Sequence, residues 1–127
     1  MNKPEKRIAI FDDDEDTLSV CRFILEEKEW EVYTFTNCNE VTEKVSTVFP
    51  NVILMDNWIP DDGGIIATRR LKKDENLKNI PVIYFSVNPD IELLANHAGA
   101  ETYLAKPFDP EELDRVINSL LLNNDNQ

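Results

Sequence analysis

Histidine and cysteine are scarce in this sequence, and their scarcity argues against several kinds of site. Among its 127 residues there are one histidine and two cysteines. His97 has no cysteine or second histidine with which to bind a metal, which counts against a zinc site and against histidine-based catalysis. Cys21 and Cys38 lie far apart in the chain and in no metal-binding spacing. We therefore predict two buried or half-buried thiols in a reducing compartment.

Positive charge and long apolar runs are also lacking. Lys and Arg number 13 against 25 Asp and Glu, which gives a formal net charge of −12. Phosphate backbones and anionic lipid repel such a chain, so we expect no direct binding to nucleic acid or membrane, and a cation or a basic protein surface is a better partner. The first apolar run, residues 8–11, is too short for a signal peptide or a membrane span, which predicts a cytoplasmic protein.

Short apolar runs alternate with amphipathic segments five times along the chain. The runs predict strands at residues 8–11, 32–35, 52–55, 82–85 and 102–105. Apolar residues spaced three or four apart predict a helix after each strand, with core residues that include Leu18, Val45, Leu71, Ala95 and Leu113. This alternation predicts an α/β domain whose parallel sheet carries helices on both faces. No linker or repeat divides the chain, so we expect one domain over residues 1–127.

Local signals mark the predicted ends of three helices. Asn37 or Asn39 is expected to cap the second helix, and Asp109 to cap the fifth. Gly99 is expected to end the fourth. The polar residues 123–127 are predicted to form a frayed tail.

Polar residues follow four of the five predicted strands. They are Asp12 and Asp13 after the first strand, Asp56 after the third, Ser86 after the fourth and Lys106 after the fifth. Because the carboxyl ends of parallel strands meet at one edge of a sheet, we expect these side chains to lie close together. Clustered carboxylates need a cation or a proton, and oxygen ligands favour a hard ion such as Mg²⁺.

This combination suits phosphoryl transfer to a carboxylate. A carboxylate can attack phosphorus and form an acyl phosphate, and the transfer needs mainly alignment and neutralisation of charge. Lys106 would pair with Asp56 and later with a phosphoryl oxygen, and Ser86 would donate a hydrogen bond to a phosphoryl oxygen. Each residue alone has an ordinary interpretation, such as a solvated helix start for residues 12–16. The combination across four strand ends favours a phosphoaspartate site.

At these positions the sequence resembles the receiver domains of bacterial response regulators, which have the chemotaxis-regulator-like fold of two-component signalling. The resemblance covers residues 7 to about 122 and rests on residues 8–13, 52–56 with Pro60 and Gly64, 81–86 and 99–108. It implies a three-layer, doubly wound, flavodoxin-like sheet with strand order 2-1-3-4-5. It also implies a signalling switch rather than a turnover enzyme.

The resemblance implies a metal site around the phosphoacceptor. Asp56 would accept the phosphoryl group. Asp13 and Asp56 would bind Mg²⁺ (or Mn²⁺) directly, together with the backbone carbonyl of Trp58, and Asp12 would lie nearby. The donor would be a phosphohistidine on a sensor histidine kinase or a phosphotransfer protein.

The resemblance also implies how the switch is read. Lys106 and Ser86 would contact the phosphoryl group, and Tyr103 would turn inward with Ser86. The Lys106–Pro107 bond would be cis. The face of the fourth helix, fifth strand and fifth helix would bind a downstream protein, in a monomer or a weak homodimer. No output domain follows the fifth helix within these 127 residues, and both a stand-alone regulator and a piece of a longer protein stay open.

Two bulky residues depart from the common pattern of the family. Trp58 stands two positions after Asp56, and Val87 follows Ser86, where alanine or glycine is common. We hypothesise that both narrow the path of water and lengthen the life of the phosphorylated state.

Three alternatives are weaker. Asp12 and Asp14 resemble the motif of haloacid-dehalogenase phosphatases, but Asp16 stands where that motif prefers threonine or valine. A calcium loop of EF-hand type fails, because Thr17 and Phe23 replace the required glycine and acid. The third is a pseudo-receiver that keeps the fold without phosphorylation, against which the complete residue set argues.

Overall fold

The computed structural model describes residues 6–57 and 63–125 and contains five strands and five helices in strict alternation. The strands are β1 Arg7–Phe11, β2 Glu31–Phe35, β3 Val52–Asp56, β4 Val82–Ser86 and β5 Thr102–Ala105. The helices are α1 Glu15–Glu26, α2 Val41–Val48, α3 Gly63–Lys73, α4 Ile91–Ala98 and α5 Pro110–Asp125. Trp58 and Pro60, both named above, lie outside the described residues.

All strands are parallel and lie in the order β2-β1-β3-β4-β5. The predicted α/β fold and its strand order are therefore confirmed. The register brings the ends of the strands together: Phe11 pairs with Met55, Asp56 with Phe85 and Ser86 with Ala105. Residues directly after these strands consequently share one edge of the sheet.

The sheet separates two apolar cores. On one face, α1 and α5 pack through residues such as Leu18 and Leu113, and on the other face α2, α3 and α4 pack through residues such as Val45 and Leu71. β3 and β4 are buried along their whole length, which explains why they are almost entirely apolar. Cys21 and Cys38 are buried thiols, as predicted. Within the described ranges, no helix is long and apolar enough to cross a bilayer.

The predicted cap of α2 is wrong. The N-cap residue is Glu40, in the left-handed region with φ 53°, and its side chain makes no capping hydrogen bond. The Asn37 side chain instead accepts hydrogen bonds from the backbone of Asn39 and from Lys44 Nζ. Burial of Val41 sets where the helix begins, and neither asparagine directly precedes that residue.

The other two helix ends follow the sequence signals. Gly99 ends α4 with φ 88°, where a glycine has no steric penalty. At the start of α5, the Glu112 N–H donates to Asp109 Oδ1 at 2.9 Å, and the Asp109 N–H donates to Glu112 Oε1 at 3.0 Å. This reciprocal pair is a capping box.

Helix α5 continues to Asp125, three residues into the segment 123–127 that was predicted to be a frayed tail, and the fraying itself stays a prediction. Burial of Leu113 and Ile117 anchors the helix, and propagation past an anchored segment needs no further apolar residue. Polarity alone was therefore a poor indicator of the end of this helix.

Candidate functional site at the carboxyl edge of the sheet

Three carboxylates meet where β1 and β3 end. Asp12 and Asp56 are buried, at 1% and 3% exposure, and Asp13 is exposed. One oxygen from each of the three lies within 4.8 Å of the others. The Asp12 backbone N–H donates to Phe35 O at 3.0 Å, which extends the β1–β2 pairing by one residue and fixes the position of Asp12.

Lys106 bridges the two buried carboxylates. Its Nζ donates to Asp12 Oδ2 at 2.7 Å and to Asp56 Oδ1 at 2.8 Å. The ammonium group also lies 4.4 Å from the centre of the Phe85 ring, a favourable cation–π position. Burial alone would lower the pKa of Lys106, but the hydrogen bonds and negative charges of Asp12 and Asp56 outweigh it and raise that pKa. Lys106 is therefore a permanent cation at neutral pH.

One lysine does not balance this cluster. Counting only the part of the chain that the structure describes, Asp12, Asp13 and Asp56 bring three negative charges against the single positive charge of Lys106, a surplus of two. Oxygen ligands gathered within 4.8 Å around such a surplus suit a divalent hard cation, which neutralises the repulsion. The residues present thus fit Mg²⁺. Trp58, whose carbonyl was predicted to join them, lies outside the described residues.

The rest of the acidic run has a structural role. Asp14 is the N-cap of α1, where its Oδ1 accepts from Asp16 N at 3.2 Å and its Oδ2 accepts from Thr17 Oγ1 at 2.7 Å. The hydrogen bond from Thr17, aided by those from the backbone, lowers the pKa of the exposed Asp14 carboxyl. The Asp14 N–H in turn donates to Asp12 Oδ1 at 2.9 Å, so the start of α1 supports the site.

Of the residues predicted to read the switch, Ser86 ends β4 and Tyr103 lies within β5. Ser86 is buried, and its Oγ accepts a hydrogen bond from the Asn88 N–H at 3.0 Å. Its carbonyl accepts from the Lys106 N–H at 2.9 Å, which holds the lysine beside β4. Tyr103 is 38% exposed, so its predicted inward turn stays a prediction for another state.

Val87 and Lys106 share a shallow groove. Val20 of α1 and Phe108 complete its apolar wall. The Val87 side chain is 66% exposed. Its role in the lifetime of a phosphoryl group stays a prediction. The Lys106–Pro107 peptide is cis, as the resemblance implied.

Gly64 is required by contact with the backbone of Asp56. A Cβ atom on Gly64 would lie 2.2 Å from Asp56 O and 3.1 Å from the Tyr84 ring. No side chain fits there, so the first turn of α3 presses directly on the strand that carries Asp56.

Sequence reasoning missed two neighbours of Asp56. Tyr84 is buried in β4, and its hydroxyl donates to the side-chain oxygen of Asn57. The available signal was a tyrosine inside an otherwise apolar strand, because a buried phenol needs a hydrogen-bond partner. Phe85, which stacks under Lys106, gave no signal beyond its apolar character.

Comparison with known proteins decides the family. Residues 8–118 match the family model of the response regulator receiver domain. The chain belongs to this family. Receiver domains are signalling domains of two-component systems rather than turnover enzymes, and phosphorylation and Mg²⁺ are typical of them. The carboxylates and lysine described above lie within the matched range.

Curated relatives include whole proteins of different length. The receiver domain is 30% identical to the polar-differentiation response regulator DivK of Brucella ovis over 119 residues, which cover 91% of this chain and 96% of DivK. It is 30% identical to the phosphate regulon transcriptional regulatory protein PhoB of Pseudomonas aeruginosa, with 91% of this chain and 52% of PhoB covered. The chain thus spans about half the length of PhoB-type relatives and nearly all of DivK.

Solved receiver domains share the fold. A CheY-like receiver domain protein from Methanospirillum hungatei superposes with a TM-score of 0.86 at 27% identity, covering 97% of this chain and 98% of that protein. A receiver domain protein from Clostridium thermocellum gives a TM-score of 0.83 at 26% identity, covering 94% and 97%. The flavodoxin-like receiver fold is therefore shared across nearly the full chain.

Proposed function

We propose that this receiver domain is a phosphoacceptor switch in which Asp56 accepts a phosphoryl group with the help of Mg²⁺. One observation carries the proposal: Lys106 Nζ bridges Asp12 and Asp56 at 2.7 and 2.8 Å within a cluster that keeps a surplus of negative charge. A purely structural ion pair would be balanced. This cluster is suited to take up a cation, and Asp56 is the carboxylate at the centre of the sheet.

The chemical step moves a phosphoryl group from the imidazole of a phosphohistidine donor to the carboxylate of Asp56. The Asp56 carboxylate attacks phosphorus, an O–P bond forms, and the N–P bond of a phosphohistidine donor breaks. The imidazole leaves with the electron pair and takes a proton from solvent. When bound by Asp12, Asp13 and Asp56, Mg²⁺ would neutralise charge on the phosphoryl oxygens.

The protein's own residues orient this step. Lys106 holds the Asp56 carboxylate before transfer, and its ammonium then pairs with a phosphoryl oxygen. The raised pKa of Lys106 keeps that charge in place. Ser86 lies at the end of the adjacent strand, from which its hydroxyl donates to another phosphoryl oxygen after a local rearrangement.

The output follows from a shift between two states. Phosphorylation favours the state in which Ser86 and Tyr103 point inward, and that state presents a different surface of α4, β5 and α5. Exposed Leu93 and Tyr103 supply apolar contact area on this surface in the present state. The donor is a histidine kinase or phosphotransfer protein, the target is a protein bound at this surface, and the predicted cytoplasmic location belongs to the same proposal.

Intact mass spectrometry tests the proposal. The protein is incubated with a small acyl phosphate and Mg²⁺, and we expect the gain of one phosphoryl mass that disappears when the metal is chelated. Asp56→Asn should gain nothing, since the amide is a poor nucleophile.

Asp114→Asn is the matched control, because this carboxylate lies on α5 beside Lys28. It should gain the same mass as the unsubstituted protein. Absence of any gain in the unsubstituted protein would favour a pseudo-receiver, and an unchanged gain in Asp56→Asn would place the acceptor elsewhere.

A further inference from the structure

Asn57, the residue after Asp56, accepts a hydrogen bond from a buried tyrosine. Tyr84 lies on β4 and Asn57 directly follows the neighbouring strand β3, and the Tyr84 hydroxyl donates to the Asn57 side-chain oxygen. In the β4 strand, Tyr84 faces the core under α3, whereas the next residue, Phe85, faces the opposite core and supports Lys106. Successive residues of one strand thus support Asp56 from its two sides.

The Tyr84 hydroxyl is a dedicated donor. Burial, followed by the negative charge of Asp56, raises the pKa of Tyr84 well above its ordinary value, so the phenol stays protonated. The side chain is fully buried, and a buried phenol without a partner would be destabilising. Asn57 meets that need with its side-chain oxygen. The buried hydroxyl therefore depends on Asn57 for this hydrogen bond.

Asn57 transmits this restraint to the site in two ways. It is joined to Asp56 by a peptide bond, and its own carbonyl lies 3.5 Å from the Gly64 N–H at the start of α3. Gly64 in turn leaves no room for Asp56 to move toward α3, since even a Cβ there would meet Asp56 O. The backbone around Asp56 is thus confined by Tyr84, Asn57 and Gly64, while Lys106 restrains only the carboxylate.

We propose that Tyr84 and Asn57 form a positioning pair that fixes the backbone of Asp56 for metal binding and phosphoryl transfer. The proposal rests on the proposed function and adds two residues that touch neither the metal nor the phosphoryl group. Loss of either partner would leave the fold intact but let the Asp56 carboxylate sample orientations away from Asp12 and Asp13. Metal affinity and transfer rate would then fall together.

Mg²⁺ titration of matched tyrosine variants tests the pair. Tyr84→Phe removes only the hydroxyl and keeps the buried ring. Tyr33→Phe is the control, because the Tyr33 hydroxyl bonds Glu31 on the exposed edge strand. Mg²⁺ affinity is measured calorimetrically at a temperature where thermal melting shows every variant fully folded. We expect Tyr84→Phe to bind Mg²⁺ about threefold to tenfold more weakly, the effect of one lost hydrogen bond, and Tyr33→Phe to match the unsubstituted protein.

A double-mutant cycle separates a pair from two independent effects. Asn57→Ala should weaken Mg²⁺ binding by a similar factor, and Tyr84→Phe combined with Asn57→Ala should weaken it no further than either change alone. Phosphorylation by a small acyl phosphate at saturating Mg²⁺ should slow in the same variants. The side-chain amide resonance of Asn57 should also shift in Tyr84→Phe, which reads the contact without any metal.

Each outcome bears on a distinct claim. Mg²⁺ affinity and phosphorylation rate that stay within about 1.5-fold of the unsubstituted protein in Tyr84→Phe would overturn the positioning pair, at a sensitivity well below the effect of one hydrogen bond. Fully additive losses in the double variant would overturn it too. An unsubstituted protein that binds Mg²⁺ but gains no phosphoryl mass would defeat the proposed function, while the metal titration would still decide the pair.

Discussion

Lys106 and Lys72 lie at opposite edges of the same sheet, and each side chain is 17% exposed. Lys72 Nζ donates to Glu101 Oε2 at 2.8 Å and to the carbonyls of Lys78 and Ile80 at 3.1 and 3.0 Å. The other oxygen of Glu101 accepts from the Val82 N–H at 2.8 Å, at the first residue of β4. Around Lys72, therefore, one positive charge meets one carboxylate, and all three ammonium protons have acceptors.

Lys106 is equally buried but lies in a different charge environment. It faces two buried carboxylates with a third close by, so no arrangement of its own protons can neutralise the cluster. The comparison teaches that burial of a lysine does not distinguish a structural cluster from a reactive one. The balance of charge around it does. Among the described residues, the cluster around Lys72 is balanced and stabilises the fold, whereas the cluster around Lys106 keeps a surplus of negative charge available for a cation.

Removal of Lys106 should have the largest effect. Lys106→Met leaves Asp12 and Asp56 buried without their cation, and loss of one partner of a buried ion pair typically lowers the free energy of unfolding by about 3–5 kcal/mol. We expect this loss in urea unfolding with a chelator present. Excess Mg²⁺ should restore a substantial part of it, because the metal replaces the missing positive charge. A loss that Mg²⁺ leaves unchanged would contradict the metal site.

Removal of Lys72 should have a smaller effect that is independent of metal. Lys72→Met leaves the Glu101 carboxylate and two carbonyls short of a donor, which should lower the free energy of unfolding by about 1–3 kcal/mol. The same value is expected with chelator and with excess Mg²⁺. Lys73→Met, the exposed neighbour on α3, is the control and should change little. A Mg²⁺-dependent effect of Lys72→Met would remove the contrast between the two edges.

The smallest expected effect is on how stability changes at alkaline pH, where loss of the Lys106 charge should lower the free energy of unfolding. The pKa of Lys106 is raised in the folded state, so its contribution is fully present below the unfolded pKa of about 10.4 and is lost as pH rises through the folded value. As pH rises through this range, deprotonation of Lys106 should lower the free energy of unfolding of the unsubstituted protein and of Lys73→Met by roughly 1 kcal/mol per pH unit. Lys106→Met should not show this decrease.

The Cys21 thiol titrates in a pH range that overlaps that of Lys106, so all the variants compared must keep this cysteine. Burial raises the pKa of this thiol to about 12, so its contribution is lost between the unfolded thiol pKa of about 8.5 and that value. Every variant keeps Cys21 and Tyr84, whose raised pKa has burial as its main cause, so the difference between the unfolding curves above about pH 10 comes mainly from Lys106. Identical slopes in Lys106→Met and the unsubstituted protein would show that the ion pair does not raise the lysine pKa.

The sequence predicted the carboxyl edge well because a parallel sheet turns order along the chain into proximity. Asp12, Asp56 and Lys106 each directly follow or end an apolar run, and no side-chain detail was needed to bring them together. The hydrogen bond between Tyr84 and Asn57 escaped notice because it depends on the length of one side chain and the direction it faces. Periodicity does not encode those.

The helix ends show the same limit. Asp109 caps α5 as its position before Pro110 indicated, since a capping residue acts on its own next turn. Asn37 has the right chemistry for the start of α2, but Lys44 and Asn39 occupy its side chain. Local signals predict what a residue is able to do, and tertiary contacts decide which of its options it uses.

The contact between Gly64 and the Asp56 carbonyl also bears on how this domain can change over generations. Helix α3 and strand β3 approach so closely there that the side chain at position 64 must be a hydrogen atom. Even alanine or serine would clash with Asp56 O, so neither can serve as an evolutionary intermediate. In a library that samples every residue at every position, substitutions of Gly64 should be lost after selection for function as completely as substitutions of the acidic site residues. This is expected although glycine carries no functional group. Sequence drift near Asp56 is thus limited by the space available as much as by chemistry.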